Sequence, residues 1–177
     1  MNTPTLTKPK IERKALSKTL AIFPIVENPN ALNQKPWFED NEYSQVMKLC
    51  GSIITLAQKH KVDSEMVMAI MHMETTHGYY DGYFPLNHLN KTIRPMNIHY
   101  EYWEKMGVTR EKLGMPLYNV EFGVILLSRI QARINEPTIT KIASIYNALR
   151  AEKVTEYGER VNHFYITKPW RSQGCRP

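Results

Sequence analysis

The residues most able to do chemistry lie between positions 66 and 81, where the chain reads MVMAIMHMETTHGYYD. An apolar run with helical spacing ends in a single acid, Glu74, and breaks at His77-Gly78. Val67, Ile70 and Met71 precede that acid by seven, four and three residues. At about 100° per residue, all three fall within roughly 60° of it on one helix face. Glu74 is therefore expected on the buried side of its helix, close to the helix end. Burial disfavours the charged form of a carboxyl and holds its proton to higher pH. A proton-donating acid in a cleft needs that setting. An acid so placed can equally pair with a core arginine, and this helix alone does not choose between the two.

Other chemistries find less support. His72, Glu74 and His77 suggest a metal site, but the two histidines are five residues apart. They diverge by about 140° around a helix, whereas a zinc-binding helix spaces its histidines by four. The His-x-Glu pattern is not followed by Cys-x-x-Cys, which a zinc deaminase requires. Cys50 and Cys175 are the two cysteines, too few for a disulfide framework or a cysteine zinc site. Cys50 falls on an apolar helical face and reads as a small core residue. Cys175 lies in a basic tail, and whether the two pair is left open. There is no Gly-x-Ser-x-Gly, no phosphate loop and no Gly-x-Gly-x-x-Gly. No metal and no cofactor is expected.

The elements that must position Glu74 read as helices. Residues 43–59 carry apolar side chains at three-four spacing. Asp63 is placed to cap the central helix, with Glu65 in its first turn to complement the dipole. Residues 78–95 read as a loop rich in Gly, Pro and Asn, crowded by Tyr79, Tyr80, Tyr83 and Phe84. Those rings can stack on sugars or bases, or pack the loop onto the domain. A short helix is expected over 97–106, ending at Gly107, and Thr109 caps another turn. A strong helix follows over 118–134, with Asn119 as its cap. Gly123 within it marks close approach by a neighbour, taken as the central helix. A helix opening at Pro137-Thr138 turns Ile139, Ile142, Ala143, Tyr146 and Leu149 inward, and a last one covers 155–165. No repeat and no alternating strand pattern appears, so the fold class is mostly α.

Composition sets the frame. The chain has 177 residues, 42% of them hydrophobic and 23% charged, enough for one domain with a core and against wholesale disorder. Three parts are expected: a basic, proline-rich arm over 1–40, a helical domain over 41–167 and a basic tail over 168–177. Phe23, Ile25, Trp37 and Phe38 are the arm's docking points. The net charge is +6, which suits a polyanion such as nucleic acid, anionic membrane or bacterial cell wall. The basic residues do not gather on one helix, so nucleic acid is not the expected partner. No run approaches the roughly 20 apolar residues of a membrane span. The apolar patch at 20–26 is interrupted by Pro24 and lacks a cleavage site, so no conventional secretory signal is read.

Five short segments, taken in order, carry a family resemblance. Glu74-Thr75, followed by Thr76-His77-Gly78, resembles the goose-type motif Glu-Ser-His-Ala-Gly. Arg94-Pro95-Met96-Asn97 falls where that family has Gly-Leu-Met-Gln. Asn119-Val120-Glu121-Phe122-Gly123 matches its asparagine-to-glycine segment, and Ile145-Tyr146-Asn147 its Ala-Tyr-Asn. Tyr157 with Val161 resembles the aromatic that opens its last helix. The run from 62 to 165 thus resembles the lysozyme-like domain of goose-type lysozymes and soluble lytic transglycosylases. Arg94, Pro95 and Asn97 depart from the second motif, and Ala148-Leu149-Arg150 replaces the glycines after the third.

The resemblance implies a lysozyme-like helical fold. It implies cleavage of the β-1,4 bond between N-acetylmuramic acid and N-acetylglucosamine in peptidoglycan, by lytic transglycosylation or as a muramidase. Glu74 would be the catalytic acid and Asp81 the candidate second carboxylate. Thr75, His77, Met96, Asn97, Tyr146, Asn147 and Tyr157 would form the substrate site. The setting would be periplasm or cell wall, reached through a secretion system as an antibacterial effector or through phage release, with a cognate immunity or inhibitor protein as partner. A non-catalytic wall-binding module of the same fold and a basic nucleic-acid-binding helical domain are the alternatives.

Overall fold

A computed structural model of the chain describes residues 22–33, 35, 44–76 and 91–177. The described residues form a mostly helical domain with a small, open two-stranded sheet. Helix α1 spans Ser44–His60 and α2 spans Ser64–Thr76. Strands β1 (Thr92–Ile93) and β2 (Ile98–His99) pair antiparallel, with Thr92 opposite His99. A short α3 (Tyr100–Trp103) runs on as the 3-10 turn Glu104–Met106, closed by Gly107 at φ +77°. Helices α4 (Arg110–Leu113), α5 (Pro116–Gln131), α6 (Ile139–Asn147) and α7 (Glu156–Thr167) follow, and a 3-10 helix covers Pro169–Gln173.

Helix α2 is the centre. Met66 through Met73 are each at most 1% exposed, His72 included. A helix buried all round, rather than along one stripe, is a core element. It packs between α1 and α7, and the His72 ring meets Phe164 edge-on at 4.5 Å. The expected N-cap is present: Asp63 Oδ1 accepts from the Glu65 amide at 2.8 Å. Thr109, Thr138 and Thr155 likewise accept from amides of the turns they open. Gly158 lets α7 lie directly on α6, because a Cβ there would overlap Ser144 Oγ and the Thr140 carbonyl oxygen.

The structure revises several expectations. The helix expected over 97–106 starts only at Tyr100; residues 94–97 form the turn joining β1 to β2, with a cis Arg94–Pro95 bond and Asn97 at φ +53°. Two-residue strands are too short to leave an alternating pattern in sequence, which is why none was expected. Asn119 does not cap α5, which starts at Pro116 after Met115; it is fully buried. The close neighbour of Gly123 is the Met96 side chain, not the central helix. Leu149 lies beyond the end of α6 and is exposed.

Described residues of both flanking segments pack against the helices. In the arm, Ile25 and Ala31 are buried. Phe23 bridges to Ile134 and Val26 to Lys153, so the segment straddles α6 at both ends. Asn28 Nδ2 adds a bond to the Val154 carbonyl at 2.9 Å. Trp37 and Phe38 lie outside the described residues. At the other end the segment 168–177 is no loose tail. Trp170 is fully buried and donates to Glu65 Oε2 at 2.7 Å, while Arg171 Nε donates to Glu65 Oε1 at 2.6 Å. Glu65 thus anchors this segment instead of only facing the helix dipole. Cys175 is joined to Cys50 by a disulfide that fastens the segment to α1. No described helix is long and apolar enough to cross a membrane.

Candidate active site around Glu74

Glu74 sits near the end of α2 and is 8% exposed. Its two oxygens are held from two other elements. Oε1 accepts from the Tyr157 hydroxyl at 2.5 Å, and Oε2 accepts from Asn97 Nδ2 at 2.7 Å. Both of these donors are neutral side chains. Bonds of this kind, in which one partner is ionised, run shorter and stronger than neutral pairs.

Each donor has its own reason for being there. Tyr157 lies in the first turn of α7, fixed by the Thr155 cap just before it. Asn97 occupies the left-handed region, which asparagine tolerates better than most residues. The residue before it, Met96, is fully buried and fixed at three points. Its amide donates to Asn119 Oδ1 at 2.9 Å, and its carbonyl accepts from the Tyr146 hydroxyl at 2.7 Å. Its side chain lies over Gly123, where a Cβ would come within 2.9 Å of Met96 Cγ and Cε. Asn119 also donates to the Ile93 carbonyl at 2.9 Å and the Leu113 carbonyl at 3.0 Å. One buried amide thereby ties β1, the turn and the end of α4 together.

The electrostatics follow from this crowding. Burial, then the charge of Glu74, pushes the Tyr146 phenol well above its ordinary pKa. Tyr157 is raised well above it too, first by burial, then by the Glu74 charge and its hydrogen bond to that carboxylate. Both hydroxyls remain protonated donors throughout the physiological range. Tyr157 binds Glu74 directly, whereas Tyr146 feels its charge while donating to the Met96 carbonyl.

Of the residues predicted from sequence, the structure brings Glu74, Met96, Asn97, Tyr146 and Tyr157 together. Thr75 turns its hydroxyl back onto its own helix, donating to the Met71 and His72 carbonyls. Asn147 is the exposed last residue of α6. His77 and Asp81 lie outside the described residues, as does the aromatic loop. A surface depression lined by residues 166–169 and 171–173 contains none of the predicted residues. Among the described residues, no group of three or more His, Cys, Asp or Glu is arranged to hold a metal. The residue sequence reasoning misread is Asn119. Its signal was a polar side chain on the apolar face of a helix, one turn before the buried Gly123, where a helix cap has no place.

No family model, curated protein or solved structure matches this chain.

Proposed function

We propose that this chain is a peptidoglycan-cleaving glycosidase with a lysozyme-like fold, and that Glu74 is its catalytic acid. The observation that carries the reading is convergence. Described residues of the resemblance meet at one nearly buried carboxyl group: Asn97 and Tyr157 bond Glu74 directly, and Tyr146, Asn119 and Gly123 hold the Met96 that precedes Asn97. Glu74 reaches across 83 residues to Tyr157 and 23 to Asn97, and Met96 across 50 to Tyr146.

In the proposed reaction, protonated Glu74 gives its proton to the glycosidic oxygen as the bond from that oxygen to the muramoyl anomeric carbon breaks. Tyr157 and Asn97 then hold the carboxylate that remains. In the transglycosylase route, the muramoyl 6-hydroxyl oxygen bonds to the anomeric carbon and its proton returns to Glu74, leaving an anhydro sugar. In the hydrolytic route, water takes that place and needs a second carboxylate to activate it, for which Asp81 is the sequence candidate. The steps call for no metal or cofactor. The net charge of +6 favours approach to the anionic wall. The disulfide supports an oxidising compartment such as the periplasm as the place of action. Delivery by a secretion system or phage, and a cognate inhibitor that covers Glu74, belong to the same proposal.

The test is incubation with purified sacculi, followed by chromatographic and mass analysis of released muropeptides. Anhydro ends identify a lytic transglycosylase and new reducing ends a muramidase. Folded protein that releases nothing at any pH overturns the proposal. A second reading is a wall-binding module without activity, which the departures at Arg94, Pro95 and Asn97 from the family's second motif favour. Sacculus binding without release identifies that case.

A further inference from the structure

We infer that Asn119 is a positioning residue: together with Tyr146 it clamps the Met96 peptide so that Asn97 presents its amide to Glu74. The geometry stands without any assumption about activity; its catalytic consequence rests on the reading of Glu74 given above. Asn119 is fully buried and uses its whole amide. Its oxygen accepts from Met96, and its nitrogen donates to Ile93 before the turn and to Leu113 at the end of α4. Tyr146 takes the other side of the same residue, bonding the Met96 carbonyl. With both polar groups of Met96 held and its side chain seated on Gly123, the next residue has little freedom. That residue is Asn97, whose left-handed backbone sends Nδ2 to Glu74 Oε2.

The arrangement gives Tyr146 and Asn97 an internal task in place of direct sugar contact. A turn of four residues between two-residue strands has few bonds of its own to fix its shape. A buried amide with three partners and a phenol with one supply that fixity from α5 and α6. Buried polar groups are seldom left unmatched, so each bond of the clamp resists displacement.

The test needs a readout on Glu74 that does not require substrate. Glutamate labelled at the side-chain carboxyl carbon, with the Glu74 signal assigned from Glu74→Gln, gives its titration by NMR; Tyr146 and Tyr157 are titrating neighbours that feel its charge. Removing a donor to a carboxylate favours the protonated form. The Glu74 midpoint should therefore rise in Asn97→Ala, and rise likewise in Asn119→Ser and Tyr146→Phe, which leave Asn97 in place. Asn119→Ser added to Asn97→Ala should move it no further than Asn97→Ala alone. Muropeptide release by Asn119→Ser should fall about tenfold or more, the scale of one lost hydrogen bond to a charged group. A folded Asn119→Ser protein that titrates like the wild type, or shifts that add in the double variant, overturns the inference. If Asn119→Ser does not fold, Tyr146→Phe and its combination with Asn97→Ala carry the same comparison. Wild-type protein that releases no muropeptides defeats the activity reading, while the titration still decides the clamp.

Discussion

Replacing Gly158 by alanine should destabilise the domain severely, while the same change at Gly51 should stabilise it. Gly158 lies in the first turns of α7 against α6. A Cβ there would overlap Ser144 Oγ and the Thr140 carbonyl oxygen, and would lie 3.3 Å from the Thr140 carbonyl carbon. Neither oxygen can step aside. The Thr140 oxygen is helix backbone and accepts from Ser144 Oγ at 2.7 Å, and that hydroxyl oxygen accepts from the Thr155 amide at 2.9 Å. Relief requires α6 and α7 to separate or Ser144 to leave its bonds. Overpacking costs about 1–3 kcal/mol, and an unmatched buried amide about 1–3 kcal/mol more. Alanine's helix propensity returns about 1 kcal/mol, so the net loss is about 1–5 kcal/mol. Gly51 is exposed within α1 and a Cβ there meets nothing within 4 Å, so only the gain of about 0.5–1 kcal/mol remains. Urea unfolding at constant pH, with the disulfide intact, measures both. With a slope of roughly 2 kcal/mol per molar urea, the midpoints should move in opposite directions, by roughly 0.5–2.5 M down and a few tenths of a molar up. Equal midpoints for the two variants would refute the account of how α6 and α7 meet.

Further outcomes follow from the same contacts. Glu74→Gln should abolish muropeptide release while leaving the circular dichroism spectrum unchanged, since it keeps shape and removes the transferable proton; release at the wild-type rate would remove Glu74 from the mechanism. Cys50→Ser should cost about 3–5 kcal/mol, near the ceiling of about 5 kcal/mol that the chain-entropy relation gives for a separation of 125 residues. Thermal melts should drop by roughly 10 °C, and added reductant should lower the wild type but not the variant. Tyr165 donates to Asp63 at 2.7 Å, and that bond, aided by partial burial, raises its pKa to about 12. In the unfolded chain it titrates near 10, so between about pH 10 and 12 the folded state holds the extra proton and stability falls as pH rises. Tyr165→Phe should flatten that part of a stability-against-pH curve, and an unchanged slope would count against the bond.

What the sequence made legible was whatever one helix carries by itself. The buried face of α2, the Asp63 cap and the threonine caps are written in three-four spacing and side-chain chemistry. The position of Glu74 at the end of an apolar helix was readable for the same reason. What escaped depends on which element meets which. The helix expected over 97–106 was placed three residues early, because only the pairing of Ile93 with Ile98 marks 98–99 as a strand. Asn119 looked like a cap because asparagine caps helices; its actual partners are 23, 26 and 6 residues away. The segment 168–177 read only as a basic tail, because its charge is plain in sequence and its partners are not. The burial of Trp170 depends on Glu65, more than a hundred residues earlier.

The arm's course over α6 has a consequence for how the domain assembles. Helical proteins usually fold fast because their contacts are local in sequence. Here the segment around Phe23, Val26 and Asn28 is joined to residues on either side of α6, with Asn28 and Val154 separated by 126 positions. Closing so wide a loop is entropically unfavourable until both landing points exist. The α1–α2 and α6–α7 pairs can form from near neighbours alone, whereas the strap must wait for them. It is then the part that locks α6, and with it Tyr146, into the finished domain.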